Sequence, residues 1–307
     1  SSSILGINTR KYHGLLVAPL NPPENRCLIL SKVDESFESG GKEYTIYSNI
    51  GKNYISKGYK HLVSFEKEYI PIYTYEVDGA LIKKYICMDH GKNTVCVLYN
   101  IKNNDKRTKF KIAPIINFRD FHATTPNAKF ELKQHIKDTK VKVIINNQEQ
   151  NPIYMRTSEG KYVEHYNDTF KNMFYIEEEK RGFEAEENHV IPGRFEIEIE
   201  PNEEKEISVI CSLEENIEEL DARAIITNEE PLYDAIGQIR SIYPNVLKLE
   251  IQNSKTTLEI QQENLKEVKN KSEIELFNEF YKFQNNVELN DEQKEYIEKI
   301  IKEVKEN

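Results

Sequence analysis

Two short runs of polar side chains could do chemistry in this sequence. Asn8-Thr9-Arg10-Lys11-Tyr12-His13-Gly14 gathers an amide, a hydroxyl, two cations, a phenol and an imidazole just ahead of the apolar residues Leu15-Leu16-Val17-Ala18. Arginine offers a planar fork of donors, and tyrosine a flat apolar face with a polar tip. Such groups suit a sugar, whose hydroxyls need donors and acceptors and whose C–H surfaces need aromatic faces. The same run would serve equally well as a loop whose Arg and His pin strand ends. The second run is Asn117-Phe118-Arg119-Asp120-Phe121-His122, after the strand-like residues 112–116. Arg119 beside Asp120 reads as a local ion pair, and His122 as a group that binds substrate or orients a carboxylate. Asn8, Arg10, Lys11, Tyr12, His13, Arg119, Asp120 and His122 are therefore the candidate substrate-binding residues.

Other chemistries find no support. No GxSxG, Walker A or GxGxxG pattern occurs, so nucleophile-elbow and phosphate-loop enzymes are not indicated. The seven histidines form no HxxxH pair, and Cys27, Cys87, Cys96 and Cys211 form no CxxC. No metal site and no cofactor are expected, and the cysteines read as reduced thiols behaving as small hydrophobes. Glycoside hydrolysis needs two carboxylates flanking a bond, but 52 acidic residues make carboxylates uninformative. The absence of Trp weakens any dedicated platform for raw polysaccharide. A net charge of −10 argues against nucleic acid or an anionic membrane as partner. No apolar run approaches the ~20 residues of a membrane span, and residues 1–4 carry no secretory signal. The expected location is cytoplasmic. The absence of an initiator Met suggests a piece of a longer protein.

The elements that must carry these residues fall into two regimes. Up to about Cys211, short β runs alternate with turn signals. Residues 12–18 read as a buried strand ending at a Pro-rich turn. Gly40-Gly41 marks a hairpin, and Asp78-Gly79 a type I′ turn between residues 73–77 and 81–86. Residues 94–99 and 109–116 are expected to pair across Asn103-Asn104-Asp105. Further strands are expected at 140–145, 173–176, 195–199 and 206–211. No helix separates them, so the sheets should be antiparallel, and two packed sheets suit so many strands better than one barrel. From Glu214 the pattern turns helical. Residues 214–226 share one apolar face, Ser272 and Glu275 fit a capping box ahead of a helix to about Phe283, and a last helix starts near Asp291. The last helix needs a partner: the sandwich, a second copy in a homo-oligomer, or further chain.

The motif at residues 8–18, Asn-Thr-Arg-Lys-Tyr-His-Gly-Leu-Leu-Val-Ala, resembles that of the N-terminal domain of bacterial and archaeal glycogen debranching enzymes. Further matches keep the family's order. They are Leu28-Ile29-Leu30-Ser31-Lys32, then residues 71–79, then Met88-Asp89-His90-Gly91-Lys92-Asn93, then Asn117-Phe118-Arg119-Asp120 with His122. Tyr175-Ile176-Glu177, Arg181-Gly182 and Pro192-Gly193 close the series. The resemblance implies a large antiparallel β super-sandwich over residues 1–213, of the type shared with galactose mutarotase and glucoamylase N-domains. Residues 214–307 would be a helical linker toward an (α/α)6 catalytic barrel. It also implies a parent amylo-α-1,6-glucosidase, a cofactor-free hydrolase of α-1,6 branches in glycogen and related α-glucans. The catalytic carboxylates would lie in the barrel and none in this chain. The partner is then α-glucan, met together with the adjoining catalytic domain. A stand-alone sugar-binding or mutarotase-like β-sandwich protein is the alternative, the latter with His90, His122 or His189 as acid and Glu177 or Glu187 as base.

Overall fold

The computed structural model describes residues 2–22, 24–67, 70–89 and 91–217, together with Lys294. The side chains of residues 165–167 are outside the description. The chain divides into two units, Ser1–Thr227 and Asn228–Asn307. Sixteen strands and almost no helix make up the described part of the first.

One eight-stranded sheet, sheet A, takes β1 (Leu16–Asn21), β2 (Glu24–Ser39), β3 (Lys42–Thr45), β4 (Ser48–Gly51), β5 (Tyr54–Lys57), β10 (Thr108–Asp120), β14 (Lys161–Phe174) and β15 (Glu186–Ile199). Its order is β1-β2-β10-β15-β14-β4-β5, with β3 on β2. The other, sheet B, takes β6 (Leu62–Lys67), β7 (Pro71–Val77), β8 (Ala80–Met88), β9 (Thr94–Lys102), β11 (Leu132–Lys137), β12 (Lys140–Ile145), β13 (Ile153–Thr157) and β16 (Glu204–Ser212). Its order is β11-β12-β13-β16-β9-β8-β7-β6. Every ladder described is antiparallel.

Side chains two apart on a strand share a face. Phe110 and Ile112, Phe195, Ile197 and Ile199, and Val33 and Phe37 turn inward from sheet A; Val95, Val97, Tyr99 and Ile101 turn inward from sheet B. They form one buried cluster between the sheets, as in an aligned sandwich. Asp78 and Gly79 take φ of 47° and 82° at the β7–β8 turn, where Val77 pairs Ala80, so the type I′ hairpin forms. The Gly40-Gly41 hairpin forms between β2 and β3. All four cysteines are free and buried.

Three expectations need correction. β9 and β10 do not pair: β9 joins β8 and β16, while β10 joins β2 and β15. The Asn103–Asp105 turn carries the chain from one sheet to the other. Asn104 fixes that corner, donating through Nδ2 to Asp78 O at 2.8 Å and Ser39 Oγ at 3.1 Å. The strand expected from residue 12 starts only at Leu16, because residues 9–13 close on themselves as a loop. The helical linker is not supported: Leu213 to Glu215 bend rather than form a helix. Residues 218–226 and the helix from Ser272 lie outside the described residues. So does the helix from Asp291, apart from Lys294, which is helical. Among the described residues no helix is long and apolar enough to cross a membrane.

Candidate functional site

The site is built on the outer face of sheet A, where the alternation of β10 puts two polar side chains. Along β10 the core-facing alternation runs through Phe110, Ile112 and Ile116, and the register shift against β2 between Ile115 and Ile116 leaves it unbroken. Both isoleucines are fully buried, Ile116 in the main core and Ile115 in a small cluster with Met173 and Tyr175. Side chains two apart on a strand share a face, so Asn117 and Arg119 follow Ile115 away from the main core. Asn117 and Arg119 are thereby buried in a polar cluster with Glu187 and His189 of β15.

Arg119 is the hub. Its Nε donates to Glu187 Oε1 at 2.5 Å and its Nη2 to Glu187 Oε2 at 3.0 Å, a bidentate pair with side-chain exposures of 2% and 0%. The remaining N–H groups hold backbone: Nη2 reaches Lys11 O at 2.7 Å, and Nη1 reaches Asp120 O at 3.0 Å and Phe121 O at 3.2 Å. One guanidinium thus ties residue 11 to residues 120 and 121. The local Arg119–Asp120 ion pair does not form. Asp120 Oδ1 instead accepts the His122 backbone N–H at 2.8 Å.

The rest of the network satisfies Glu187 and His189. Tyr175 Oη donates to Glu187 Oε2 at 2.5 Å, and Thr125 Oγ1 to Oε1 at 2.9 Å. Burial pushes the Glu187 carboxyl up, but the positive groups and hydrogen bonds around it, Arg119 among them, leave it below its ordinary value. His189 is driven down to about 4 by burial, with Glu187 opposing, so it is neutral at pH 7. One tautomer fits. Asn117 Nδ2 donates to Nδ1 at 3.2 Å, and Nε2–H then donates to Tyr175 Oη at 3.1 Å. The imidazole passes no proton outward, because nothing from solvent reaches it.

Residues 9–13 sit beside this network. Thr9 N–H donates to His13 Nδ1 at 3.1 Å and His13 N–H to Arg10 O at 3.0 Å, closing the loop. Half-burial and the nearby Arg10 charge lower the His13 pKa. Thr9 O accepts the Glu177 N–H at 3.0 Å, which fastens the loop to the short helix α1 (Ile176–Glu179). From that helix Glu178 is fully buried and faces Arg10, with Nε at 3.5 Å from Oε1. Neither oxygen of Glu178 has a hydrogen-bond partner. Arg10 is 40% exposed, so one edge of its guanidinium meets Glu178 while the rest meets solvent.

What the loop presents outward is aromatic. Tyr12 packs on Phe121 with ring centroids 4.9 Å apart and on His122 at 5.7 Å; Phe121 and His122 are 5.4 Å apart. Lys11 Nζ lies over Tyr12 at 5.4 Å and over Phe183 at 5.8 Å. The structure thus brings Arg10, Lys11, Tyr12, His13, Asp120 and His122 to one surface and sets Arg119 underneath. Asn8 is elsewhere. It is buried, donating to Ser31 Oγ at 3.0 Å, and it lines a cavity of about 30 Å³ beside Glu35, Tyr73, Tyr75 and Lys84. Its Oδ1 lacks a partner, and the cavity has room for a water. The candidate residues read from the sequence do not include Phe121 and Phe183 on the surface, or Tyr175, Thr125 and Glu178 beneath it, and Glu187 enters there only as an alternative base. The mutarotase alternative needed a His–Glu pair. His189 Nε2 and Glu187 Oε2 do stand 3.5 Å apart, yet both side chains are 0% exposed, out of reach of any sugar. His90 lies outside the described residues. Among those residues no group of three or more His, Cys, Asp or Glu could hold a metal ion.

The model of a family described as "Glycogen debranching enzyme N terminal" matches residues 1–206. A second, described as "Type 5 capsule protein repressor C-terminal domain", matches residues 210–285. No curated protein matches the chain. Among solved structures, a polysaccharide lyase is similar over 59% of this chain and 25% of its own, at 6% identity and a TM-score of 0.31. A putative kojibiose phosphorylase from the human microbiome is similar over 68% of this chain and 30% of its own, at 12% identity and a TM-score of 0.29. This chain covers less than a third of either.

Proposed function

Because this chain belongs to the glycogen debranching enzyme N-terminal family, with residues 1–206 matched, we propose that it is the non-catalytic β-sandwich of a glycoside hydrolase-type enzyme. The finer reading is an amylo-α-1,6-glucosidase whose substrate is the α-1,6 branch of glycogen or a related α-glucan. The sandwich would form one wall of the substrate cleft and seat the catalytic barrel. The observation that carries this is the surface of Tyr12, Phe121 and His122, presented by a loop that Arg119 and Glu187 hold from below. Aromatic faces take sugar C–H surfaces, and a preformed wall positions substrate at little entropic cost. The carboxylates nearest that surface from beneath, Glu178 and Glu187, are fully buried against arginines. They are placed to hold the loop, and acid–base chemistry would come from elsewhere in the parent protein.

The test is Tyr12→Ala in the full-length parent enzyme, assayed by glucose release from a branched dextrin. The expected result is a KM raised about tenfold, equivalent to ~1.4 kcal/mol, with little change in melting temperature. Unchanged kinetics would remove the surface from the substrate cleft.

A further inference from the structure

The aromatic surface is threaded with cations. Arg181 lies over the Phe183 ring at 5.1 Å, Lys11 over Phe183 and Tyr12, and Arg26 over Phe121 at 5.0 Å. With the Tyr12–Phe121 contact, Arg181, Phe183, Lys11, Tyr12, Phe121 and Arg26 form one continuous belt in which cation and ring alternate. Arg26, Arg181 and Phe183 are exposed, Phe183 to 53%. Among the described residues no carboxylate lies within ion-pair distance of Lys11, Arg26 or Arg181, whereas sixteen other lysines and arginines there have one. In a chain of net charge −10, three cations without an ion pair thus stand along one aromatic strip.

Resting on the cleft-wall reading, we infer that this belt binds a sugar chain carrying a phosphomonoester. The rings receive the C–H faces of successive sugars, since Phe183, Tyr12 and Phe121 follow one another through Lys11 and the Tyr12–Phe121 contact. A neutral glucan would satisfy the rings and leave three cations without a partner. A phosphate dianion supplies acceptors for the arginine forks, which fit it in bidentate fashion, and for the lysine as a point charge. The ester can belong to a free sugar phosphate or to a phosphorylated residue within a glucan. Three successive rings favour the second.

The experiment titrates the 307-residue chain with a starch-derived phosphorylated maltodextrin, the same dextrin after phosphatase treatment, glucose 6-phosphate and inorganic phosphate. Calorimetry reads the affinities. The phosphorylated dextrin is expected to bind at least tenfold more tightly than its dephosphorylated form. That preference should shrink at 0.5 M salt, where exposed charges are screened, and should be lost in Arg26→Gln with Arg181→Gln. Equal affinity for both dextrins, abolished by Phe183→Ala, would overturn the phosphate assignment while leaving the wall reading intact. A preference that survives the double arginine variant would overturn the belt as its site. Tighter binding of glucose 6-phosphate than of the phosphorylated dextrin would replace the glucan with a free sugar phosphate as ligand.

Discussion

Arg119→Gln should be among the most damaging single changes in the sandwich, and its cost can be worked from the contacts. The substitution removes both charged hydrogen bonds to Glu187 and three hydrogen bonds to the carbonyls of residues 11, 120 and 121. Tyr175 and Thr125 still donate to the carboxylate, but its counter-charge is gone and it has 0% exposure. Breaking a buried pair by removing one partner costs about 3–5 kcal/mol. For a domain of this size each kcal/mol moves the melting temperature by about 2–4 °C, so the expected fall is roughly 6–20 °C. Differential scanning calorimetry of the full chain reads it. Glu187→Gln alone should also destabilise, and the double variant should cost clearly less than the two singles together, with a coupling of about 2 kcal/mol. The loop gives an independent readout, because Lys11 O and Phe121 O lose a shared donor and the Tyr12 and Phe121 ring resonances should shift. A melting change under about 2 °C, or strict additivity, would refute the hub.

Three further outcomes are expected. His189, held neutral with its pKa at about 4 against 6.5, contributes stability that is complete above about pH 6.5. That contribution is withdrawn as pH falls toward 4, because the unfolded chain takes up the proton first; over that window the loss is about 3 kcal/mol. Thermal melts at pH 7, 5.5 and 4.5 should therefore fall more steeply for the natural chain than for His189→Asn. Arg10→Ala should lower stability by about 1–2 kcal/mol in urea unfolding, since Glu178 loses its facing cation; the half-exposed site lets water in and keeps the cost below that of a sealed pair. Gly79→Ala, at φ +82° with only Asn104 Cβ near, should cost about 1 kcal/mol from backbone strain alone; a neutral result would mean that the β7–β8 turn relaxes.

Legibility in the sequence followed how local each cause was. The Asp78-Gly79 and Gly40-Gly41 hairpins depend on backbone positions that few residues tolerate, and alternation along β9 and β15 marks the core face. Asn103-Asn104-Asp105 is as good a turn signal, yet a turn does not say which sheet the next strand enters. Side-chain contacts to Ser39 and Asp78 decide that, and they lie 65 and 26 residues away. The site shows the same division. Tyr12 and His122 stand out in the sequence because polar and aromatic types crowd together there. Glu187 reads in the sequence only as an alternative base, because nothing local marks it as buried. Its burial comes from packing against Arg119, 68 residues away. The adjacency of Arg119 and Asp120 misled, because neighbours on a strand point to opposite faces. Phe183 and Arg181 join the belt through Lys11, which no spacing in the sequence announces.

The central claim is that this sandwich supplies a wall and no catalytic group. The most direct test measures glucose release from an α-1,6-branched limit dextrin by the 307-residue chain alone and by the full parent polypeptide. The account predicts no turnover by the chain and steady release by the parent. Turnover by the chain alone, or a parent with no α-1,6 activity, would contradict it.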